Sequence, residues 1–176
     1  GLPTIPPGGI PWILRFSELD SSVACHCVTV SQLVGCIARD VLRGKSTSTV
    51  ERAMLGALLH DVGKLTLNPN LLEAGRKLSP EEFNEIKIHP QAGYDLLMNS
   101  KSKEVRQVAL TALRHHVKKA GKGYPQDVEL PSLRALDLVV QFCDILSALL
   151  AKRQYKEAIP PIEALRIVCK EFDELV

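Results

Sequence analysis

The sequence predicts an all-α fold, and three observations support this. Apolar residues recur at helical intervals, strand signals are weak, and proline, glycine or Ser/Thr runs separate the periodic segments. The 176 residues suit a single domain with a sizeable core. Hydrophobic residues make up 45% and charged residues 24%, and the net charge of +2 is too small to favour a nucleic acid polymer or a membrane surface as partner.

The first two helices are predicted from apolar periodicity and from the residues that interrupt it. The pattern over 19–42 predicts a long helix that ends before Gly44. The polar run at 45–49 then supplies the cap of a second helix. That second helix is expected to end near Gly63.

The later helices are predicted from capping signals and from proline. Ser79 and Glu82 have the spacing of a capping box, and Pro80 suits the first helical position. This helix is expected to stop before Pro90, because the residue ahead of a proline avoids the α region. Further helices are predicted over 91–99, 103–117, 131–155 and 160–174, which gives six or more in all.

The N-terminal segment and the cysteines bear on organisation and compartment. Residues 1–18 are rich in Pro and Gly, so we expect a connector ahead of a domain spanning 19–176. The five cysteines lie in apolar helical segments without the paired spacing of a structural zinc site, which favours reduced core residues. No signal segment opens the chain, and no apolar run approaches the ~20 residues that a membrane span needs. A cytoplasmic protein without a membrane span is therefore predicted.

Polar side chains in apolar helical segments are the main functional signal. Burying an unsatisfied polar group costs roughly 1–3 kcal/mol. His60 and Asp61 alone would fit an ordinary buried hydrogen-bonded pair, but Asp144 also stands in a strongly apolar helix. The five histidines all lie within or at the ends of such segments: His26, His60, His89, His115 and His116. A metal ion is an economical shared partner for these imidazoles, with the carboxylates neutralising its charge.

Helix geometry limits how these ligands can be shared. Adjacent residues point about 100° apart on an α-helix, so His60 and Asp61 are not expected to bind one ion as equals. We expect Asp61 to lie between two ions, with His60 on one of them, and the same geometry applies to His115 and His116. Mixed His and Asp ligands favour iron, manganese or zinc over calcium. Two metals bridged by a carboxylate are suited to cleaving phosphate esters.

Four ordered blocks carry a resemblance to a known family. They are HDVGKL at 60–65, LSPEEFNEIKIHPQAGYDLL at 78–97, HHVKKAGKGYP at 115–125 and CDILSALLAKRQYKEAIPPIEAL at 143–165. Together they resemble the HD superfamily of metal-dependent phosphohydrolases and, more narrowly, its HD-GYP subfamily, from about residue 18 to 168. An HD pair alone is a weak signal, whereas four blocks in this order and at these spacings are a specific one.

The resemblance implies a function, a cofactor and partners. Family members are all-helical and hydrolyse cyclic dinucleotides, chiefly cyclic di-GMP, to linear pGpG or on to GMP in bacterial signalling. Two divalent metal ions are therefore expected, iron or manganese first, with zinc, nickel and magnesium as alternatives. The implied substrate is a cyclic dinucleotide or another nucleotide, and a signalling protein is a candidate partner.

The resemblance also assigns residue roles by position. One metal would be bound by His26, His60, Asp61 and Asp144, and Asp61 would bridge to a second bound by His89, His115 and His116. Lys64 matches a lysine that lies beside the metals and contacts the attacking oxygen or the scissile phosphate, so Lys64 and Asp61 are the expected catalytic residues. The substrate-binding residues implied are Gly123, Tyr124, Pro125 and Arg153.

Several positions depart from the family pattern. Ser22 stands where members with three metals carry a glutamate, so two ions are expected. Ser147 replaces a second aspartate, and Leu138 replaces an arginine that grips a substrate phosphate. Lys119 and Ala120 replace an aromatic residue and an aspartate. Losses around a metal site typically cost about tenfold to a hundredfold, so we predict a metal-loaded centre with slow or altered turnover. The alternatives are a metal-bound regulatory or binding module and a phosphohydrolase on another nucleotide.

Overall fold

The structure is a computed structural model that describes Pro11, Leu14 and residues 21–41, 46–72, 74–118, 123–126, 135–151 and 158–173. These ranges contain helices and no strand, which confirms the predicted all-α fold. The helices are α1 Ser21–Val41, α2 Thr47–Leu59, α3 Pro69–Leu72, α4 Pro80–Ile86, α5 His89–Met98, α6 Lys103–Gln107, α7 Ala109–Arg114, α8 Ala135–Leu150 and α9 Pro161–Asp173. A 3-10 helix, Val62–Thr66, follows α2. The expected connector 1–18 lies almost entirely outside the described residues.

Two predicted helices end or break at positions that apolar periodicity does not predict. α2 ends at Leu59 rather than near Gly63, because the chain then tightens into the 3-10 helix Val62–Thr66. The predicted helix over 103–117 is divided at Val108, whose backbone angles (φ −105°, ψ 3°) leave the α-helical region. The first difference lies directly beside His60 and Asp61.

The predicted capping box is present. The side chain of Ser79 accepts the N–H of Glu82, and the Glu82 carboxylate accepts the N–H of Ser79. α4 ends at Ile86, ahead of Pro90 as predicted. α5 begins at His89, two residues earlier than expected, because a proline is compatible with the first turn of a helix.

α1 is central to the packing. It packs against α2 and α8, and the shared core includes Val34, Ala57 and Val140. A second core cluster around Leu58 joins α1 and α2 to α5 and α7. Contrary to the prediction that no apolar run approaches the length of a membrane span, α1 has, among the described helices, that length and apolar composition over Ser22–Asp40. Core helices of globular proteins pass the same test. The C-terminal end of α2 thus lies among four other helices.

Candidate metal centre

Asp61 lies in the middle of a buried cluster of imidazoles, and its two carboxylate oxygens face different histidines. Oδ1 lies 3.2 Å from Nε2 of His89 and 3.6 Å from Nε2 of His115. Oδ2 lies 3.4 Å from Nε2 of His60 and 4.0 Å from Nε2 of His26. Only 1% of Asp61 is exposed, so its charge depends on these neighbours rather than on water.

Asp144 and His116 complete the cluster. Oδ1 of Asp144, on α8, lies 2.9 Å from Nε2 of His26 and 3.7 Å from Nε2 of His60. The ring centroids of His116 and His115 lie 4.1 Å apart. All seven predicted ligands therefore meet, in two sets on opposite oxygens of Asp61. We call these the His26 side (His26, His60, Asp144) and the His115 side (His89, His115, His116).

Helix ends direct three of the rings. His60 follows α2, His89 begins α5 and His115 follows α7. Nδ1 of each ring is bonded to the carbonyl oxygen three residues earlier, at 2.6 Å for Ala57, 2.7 Å for Ile86 and 2.7 Å for Ala112. A carbonyl oxygen only accepts, so Nδ1 carries the proton in each neutral ring. The lone pair on Nε2 is therefore directed at Asp61.

This arrangement leaves atoms that a cation would satisfy. Nε2 of His89 and Nε2 of His115 lie 3.0 Å apart, and neither neutral ring has a proton to place between them. Among the described residues, three side-chain atoms are buried without a hydrogen-bond partner: Nε2 of His60 and Oδ1 of Asp61 in the cluster, and Nε of Arg114 beside it. Buried polar atoms are nearly always paired, and imidazole and carboxylate lone pairs are ligands that transition metals bind. The residues therefore fit divalent metal ions.

The protonation states of both carboxylates and of two imidazoles also suit a cation. Burial would lower the pKa of His60, but the carboxylates of Asp61 and Asp144 together outweigh it and raise that pKa. Burial lowers the pKa of His115 to about 4 and that of His116 to about 2, so both rings are neutral near pH 7.

Burial would raise the pKa of Asp61, but the Lys64 ammonium and the neighbouring imidazoles together outweigh it and hold that pKa well below its usual range. Burial would raise the pKa of Asp144, but the hydrogen bond from His26 and the nearby His60 imidazole together outweigh it and lower that pKa. Ionised carboxylates and neutral imidazoles are the forms that bind metals.

Lys64 reaches the cluster from the 3-10 helix. Its Nζ donates to Oδ2 of Asp61 at 2.5 Å, and its side chain is 22% exposed. Burial would lower the pKa of Lys64, but the Asp61 carboxylate outweighs this and raises the pKa, so the ammonium stays charged. A cation that touches both the cluster and solvent can meet an entering anion. This position suits the catalytic role predicted for Lys64.

Gly63 brings the 3-10 helix against the start of α5. A Cβ at this position would lie 1.9 Å from the carbonyl oxygen of His89 and 2.6 Å from the main-chain nitrogen of Gly93. Both neighbours are backbone atoms, so no side-chain rotation could make room. The close approach sets the separation between Asp61 and His89.

The Gly123–Tyr124–Pro125 segment lies against the His115 side. A Cβ at Gly123 would lie 2.2 Å from the carbonyl oxygen of His116. The N–H of Tyr124 donates to that oxygen at 3.1 Å. The ring centroids of Tyr124 and His116 lie 4.6 Å apart, with an angle of 33° between the ring planes. The Tyr124–Pro125 peptide bond is cis. The predicted substrate-binding loop therefore adjoins the predicted ligands.

The remaining predicted positions have mixed outcomes. Arg153, expected to bind substrate, lies outside the described residues, as do Lys119 and Ala120. Ser147, which stands where an aspartate was expected, keeps a contact with the cluster. Its Oγ lies 3.0 Å from Nδ1 of His26.

Three buried polar residues beside the cluster were not predicted from the sequence. Arg114, Asp137 and Gln141 are only 1%, 7% and 3% exposed. The signal was available, because Asp137 and Gln141 interrupt the same apolar helix as Asp144. None of the three lies within the four sequence blocks that carry the family resemblance.

Comparisons with known proteins show which proteins this chain is similar to. A family model described as HD domain matches residues 15–174. The chain is 34% identical over 139 residues to the cyclic di-GMP phosphodiesterase response regulator RpfG of Xanthomonas campestris pv. campestris, covering 79% of this chain and 36% of the relative. It is 32% identical over 158 residues to the 3'3'-cGAMP-specific phosphodiesterase 3 of Vibrio cholerae, covering 89% of this chain and 34% of the relative. The chain thus spans about a third of the length of these curated relatives.

A solved structure shows a similar fold. The protein Bd1817 from Bdellovibrio bacteriovorus, described as an HDG"Y"P protein, superposes with a TM-score of 0.64 at 24% sequence identity. The match covers 85% of this chain and 47% of that one. The similarity extends over most of the helices that carry the cluster.

Proposed function

The chain belongs to the HD domain family, and on that basis we propose that it hydrolyses a cyclic dinucleotide at a centre of two divalent metal ions. Cyclic di-GMP is the first candidate substrate, with linear pGpG or GMP as product, in cytoplasmic second-messenger signalling. The names of the relatives support this substrate class. The observation that carries the proposal is that the two oxygens of Asp61 face separate sets of imidazole lone pairs.

The two sides of the cluster would each hold one ion, with Asp61 shared between them. When bound, such a pair supplies the Lewis acidity that stabilises charge on a phosphodiester. The mixed nitrogen and oxygen ligands suit iron or manganese, with zinc, nickel and magnesium as alternatives. Metal availability decides among ions that the same ligands accept.

The protein's own groups orient the substrate. Lys64 presents an ammonium at the exposed edge of the cluster, where it can bind a phosphate oxygen and stabilise negative charge that develops there. Tyr124, half-buried against His116, offers an aromatic face beside the His115 side. The helices around Asp61 exclude bulk water, which strengthens these electrostatic interactions.

A metal-bound binding module is the second candidate. Leu138, on α8, is half-buried where the family resemblance places a phosphate-gripping arginine. A leucine makes no hydrogen bond to phosphate, which favours slow turnover or recognition without turnover. In that case the domain would serve a signalling protein as a docking or sensing unit. A related nucleotide such as 3'3'-cGAMP would be an alternative substrate.

One experiment separates these candidates. The protein is purified anaerobically with Fe(II) or Mn(II), and cyclic di-GMP and 3'3'-cGAMP are followed by chromatography. Asp61→Asn is compared with Asp95→Asn, which changes an exposed carboxylate on α5 that accepts a hydrogen bond from Gln91.

The enzyme is supported if Asp61→Asn lowers the rate of hydrolysis by at least about a hundredfold and Asp95→Asn leaves it unchanged. Two bound metals without product from either nucleotide favour the binding module. A protein that takes up no metal contradicts both candidates.

A further inference from the structure

α8 carries a stripe of buried polar residues along the face that meets the cluster. Asp137, Gln141, Asp144 and Ser147 are three or four positions apart, the spacing of one helix face. Asp144 and Ser147 contact His26. Asp137 and Gln141 contact instead Arg114 and Val117, which flank His115 and His116. We call residues 114–117 the turn. One rigid helix therefore touches both sides of the candidate metal centre.

Gln141 bonds the main chain on both sides of the His115–His116 pair. Its Nε2 donates to the carbonyl oxygen of Arg114 at 2.9 Å and to that of Val117 at 3.0 Å. Both partners are acceptors, so the NH₂ group must face the turn. The last carbonyls of a helix have no partner within that helix. The Arg114 carbonyl also accepts the N–H of Val117 at 2.9 Å. Gln141 therefore adds a second bond at the C-terminal end of α7 and joins the main chain on both sides of the two histidines.

Arg114 adds a second attachment between the turn and α8. Its buried side chain places Nη1 3.3 Å from Oδ2 of Asp137, one helical turn before Gln141. A buried charge of this kind requires its partner, because an uncompensated ion in the interior is strongly destabilising. α8 thus contacts Arg114 at its side chain, through Asp137, and at its carbonyl oxygen, through Gln141. Two attachments fix both the position and the direction of the turn.

We infer that Gln141, together with the Arg114–Asp137 pair, is a positioning residue that fixes His115 and His116 relative to Asp144. This inference rests on the metal centre of the proposed function. Since Asp144 belongs to the His26 side, the spacing of the two metal positions is set along α8. Gln141 contacts no ligand side chain in the hydrogen bonds described, so its effect passes through the main chain of the turn.

Gln141→Met tests this role, because methionine has a similar size and no donor. The turn loses both hydrogen bonds from Gln141, and the His115 side should bind its ion about tenfold to a hundredfold more weakly. The His26 side should change by less than twofold. Gln141→Asn, which retracts the amide by one methylene, provides a milder second variant with the same expected direction.

Ser31→Ala is the matched control. The Ser31 hydroxyl is buried and donates to the carbonyl oxygen of Met54 at 2.9 Å. This substitution also removes a buried side-chain bond to the main chain of another helix, but neither partner adjoins a candidate ligand in sequence. It measures what general destabilisation does to metal binding.

The measurement is a titration of metal-free protein with Mn(II), followed by calorimetry and electron paramagnetic resonance. The wild type and Ser31→Ala should take up two ions and give the spectrum of an exchange-coupled pair. Gln141→Met at low metal excess should retain one ion and give the six-line spectrum of isolated Mn(II).

Each outcome is decisive. The inference is overturned if Gln141→Met binds a coupled pair of ions with unchanged affinity. It is also overturned if Gln141→Met loses both ions equally, or if Ser31→Ala weakens metal binding as much as Gln141→Met does. If Gln141→Met does not fold, the same criteria apply to Gln141→Asn. A wild type that binds fewer than two ions contradicts the proposed metal centre itself.

Discussion

His60, His89 and His115 share one local device, a bond from Nδ1 to a carbonyl oxygen three residues earlier. That bond fixes the tautomer and the direction of each ring before any ion is present, which is the usual role of groups around metal ligands. His26 differs, because its Nδ1 lies beside the Ser147 hydroxyl, which can donate or accept. Three of the rings are therefore oriented by their own segments, and His26 by another helix.

The role of Lys64 can be separated from metal binding. Lys64→Met removes the charge and keeps most of the apolar stem, and kcat/KM is expected to fall about tenfold to a thousandfold because a phosphate loses a nearby cation. Metal content should stay unchanged, since an ammonium has no lone pair to bind a metal. Steady-state kinetics and elemental analysis measure both. Unchanged turnover would remove Lys64 from the catalytic residues.

At the scale of the element, the contact of the 3-10 helix with α5 depends on Gly63. Gly63→Ala should lower the free energy of unfolding by about 1–3 kcal/mol, because the Cβ would overlap backbone of His89. Metal affinity should fall with it. Gly56→Ala is the milder comparison, since the nearest atoms to its Cβ would be side-chain atoms of Thr111 at 2.7 to 3.2 Å, and not backbone atoms. Urea unfolding of both variants checks the order, and a larger loss in Gly56→Ala would contradict it.

The start of α4 offers a second comparison between elements. Ser79→Ala removes a side-chain cap and should cost about 1 kcal/mol, whereas Ser46→Ala at the start of α2 removes no such bond and should cost much less. Thermal unfolding of the two variants measures the difference. Equal losses would show that the Ser79 cap contributes little.

The same cap predicts a pH dependence of stability. Hydrogen bonds from Arg76 and from the Ser79 N–H lower the pKa of Glu82 to about 2, from an ordinary value of 4.5. A lowered pKa stabilises the fold above the unfolded value, so this contribution is complete above pH 4.5 and is lost as the pH falls toward 2. Glu82→Gln should flatten that acid slope in unfolding experiments. A slope identical to that of the wild type would contradict the assignment.

Helix periodicity and capping signals predicted elements well where the structure is regular. The Ser79 start and the long α1 followed from local patterns. The 3-10 helix after Leu59 and the break at Val108 did not, because apolar spacing does not distinguish an α turn from a tighter one. The first of these irregular points adjoins His60 and Asp61, so the local geometry of those candidate ligands could not be derived from periodicity.

At the scale of the whole molecule, the cluster joins segments that are distant in sequence. His26 and Asp144 are 118 residues apart and yet hydrogen-bonded. Buried polar residues in apolar helices identified both as candidates, but their meeting depends on tertiary packing, which no local pattern contains. The order of the four motif blocks supplied that information through family resemblance.

Ligands drawn from several helices make metal binding part of folding stability. An ion that binds only the folded state stabilises it by about 2.7 kcal/mol at a hundredfold excess over its Kd. Chelation should therefore lower the melting temperature, and added Mn(II) or Fe(II) should restore it in a concentration-dependent way. Calorimetry with and without chelator tests this. An unchanged melting temperature would mean that the helices do not depend on an ion.

We propose that Asp61 is shared between two metal ions. An anomalous difference map from crystals of the Mn(II)- or Fe(II)-loaded protein tests it directly. Two peaks are predicted, one beside Oδ2 on the His26 side and one beside Oδ1 on the His115 side. A single peak, or ions elsewhere with the imidazoles bonded only to one another, would contradict the account.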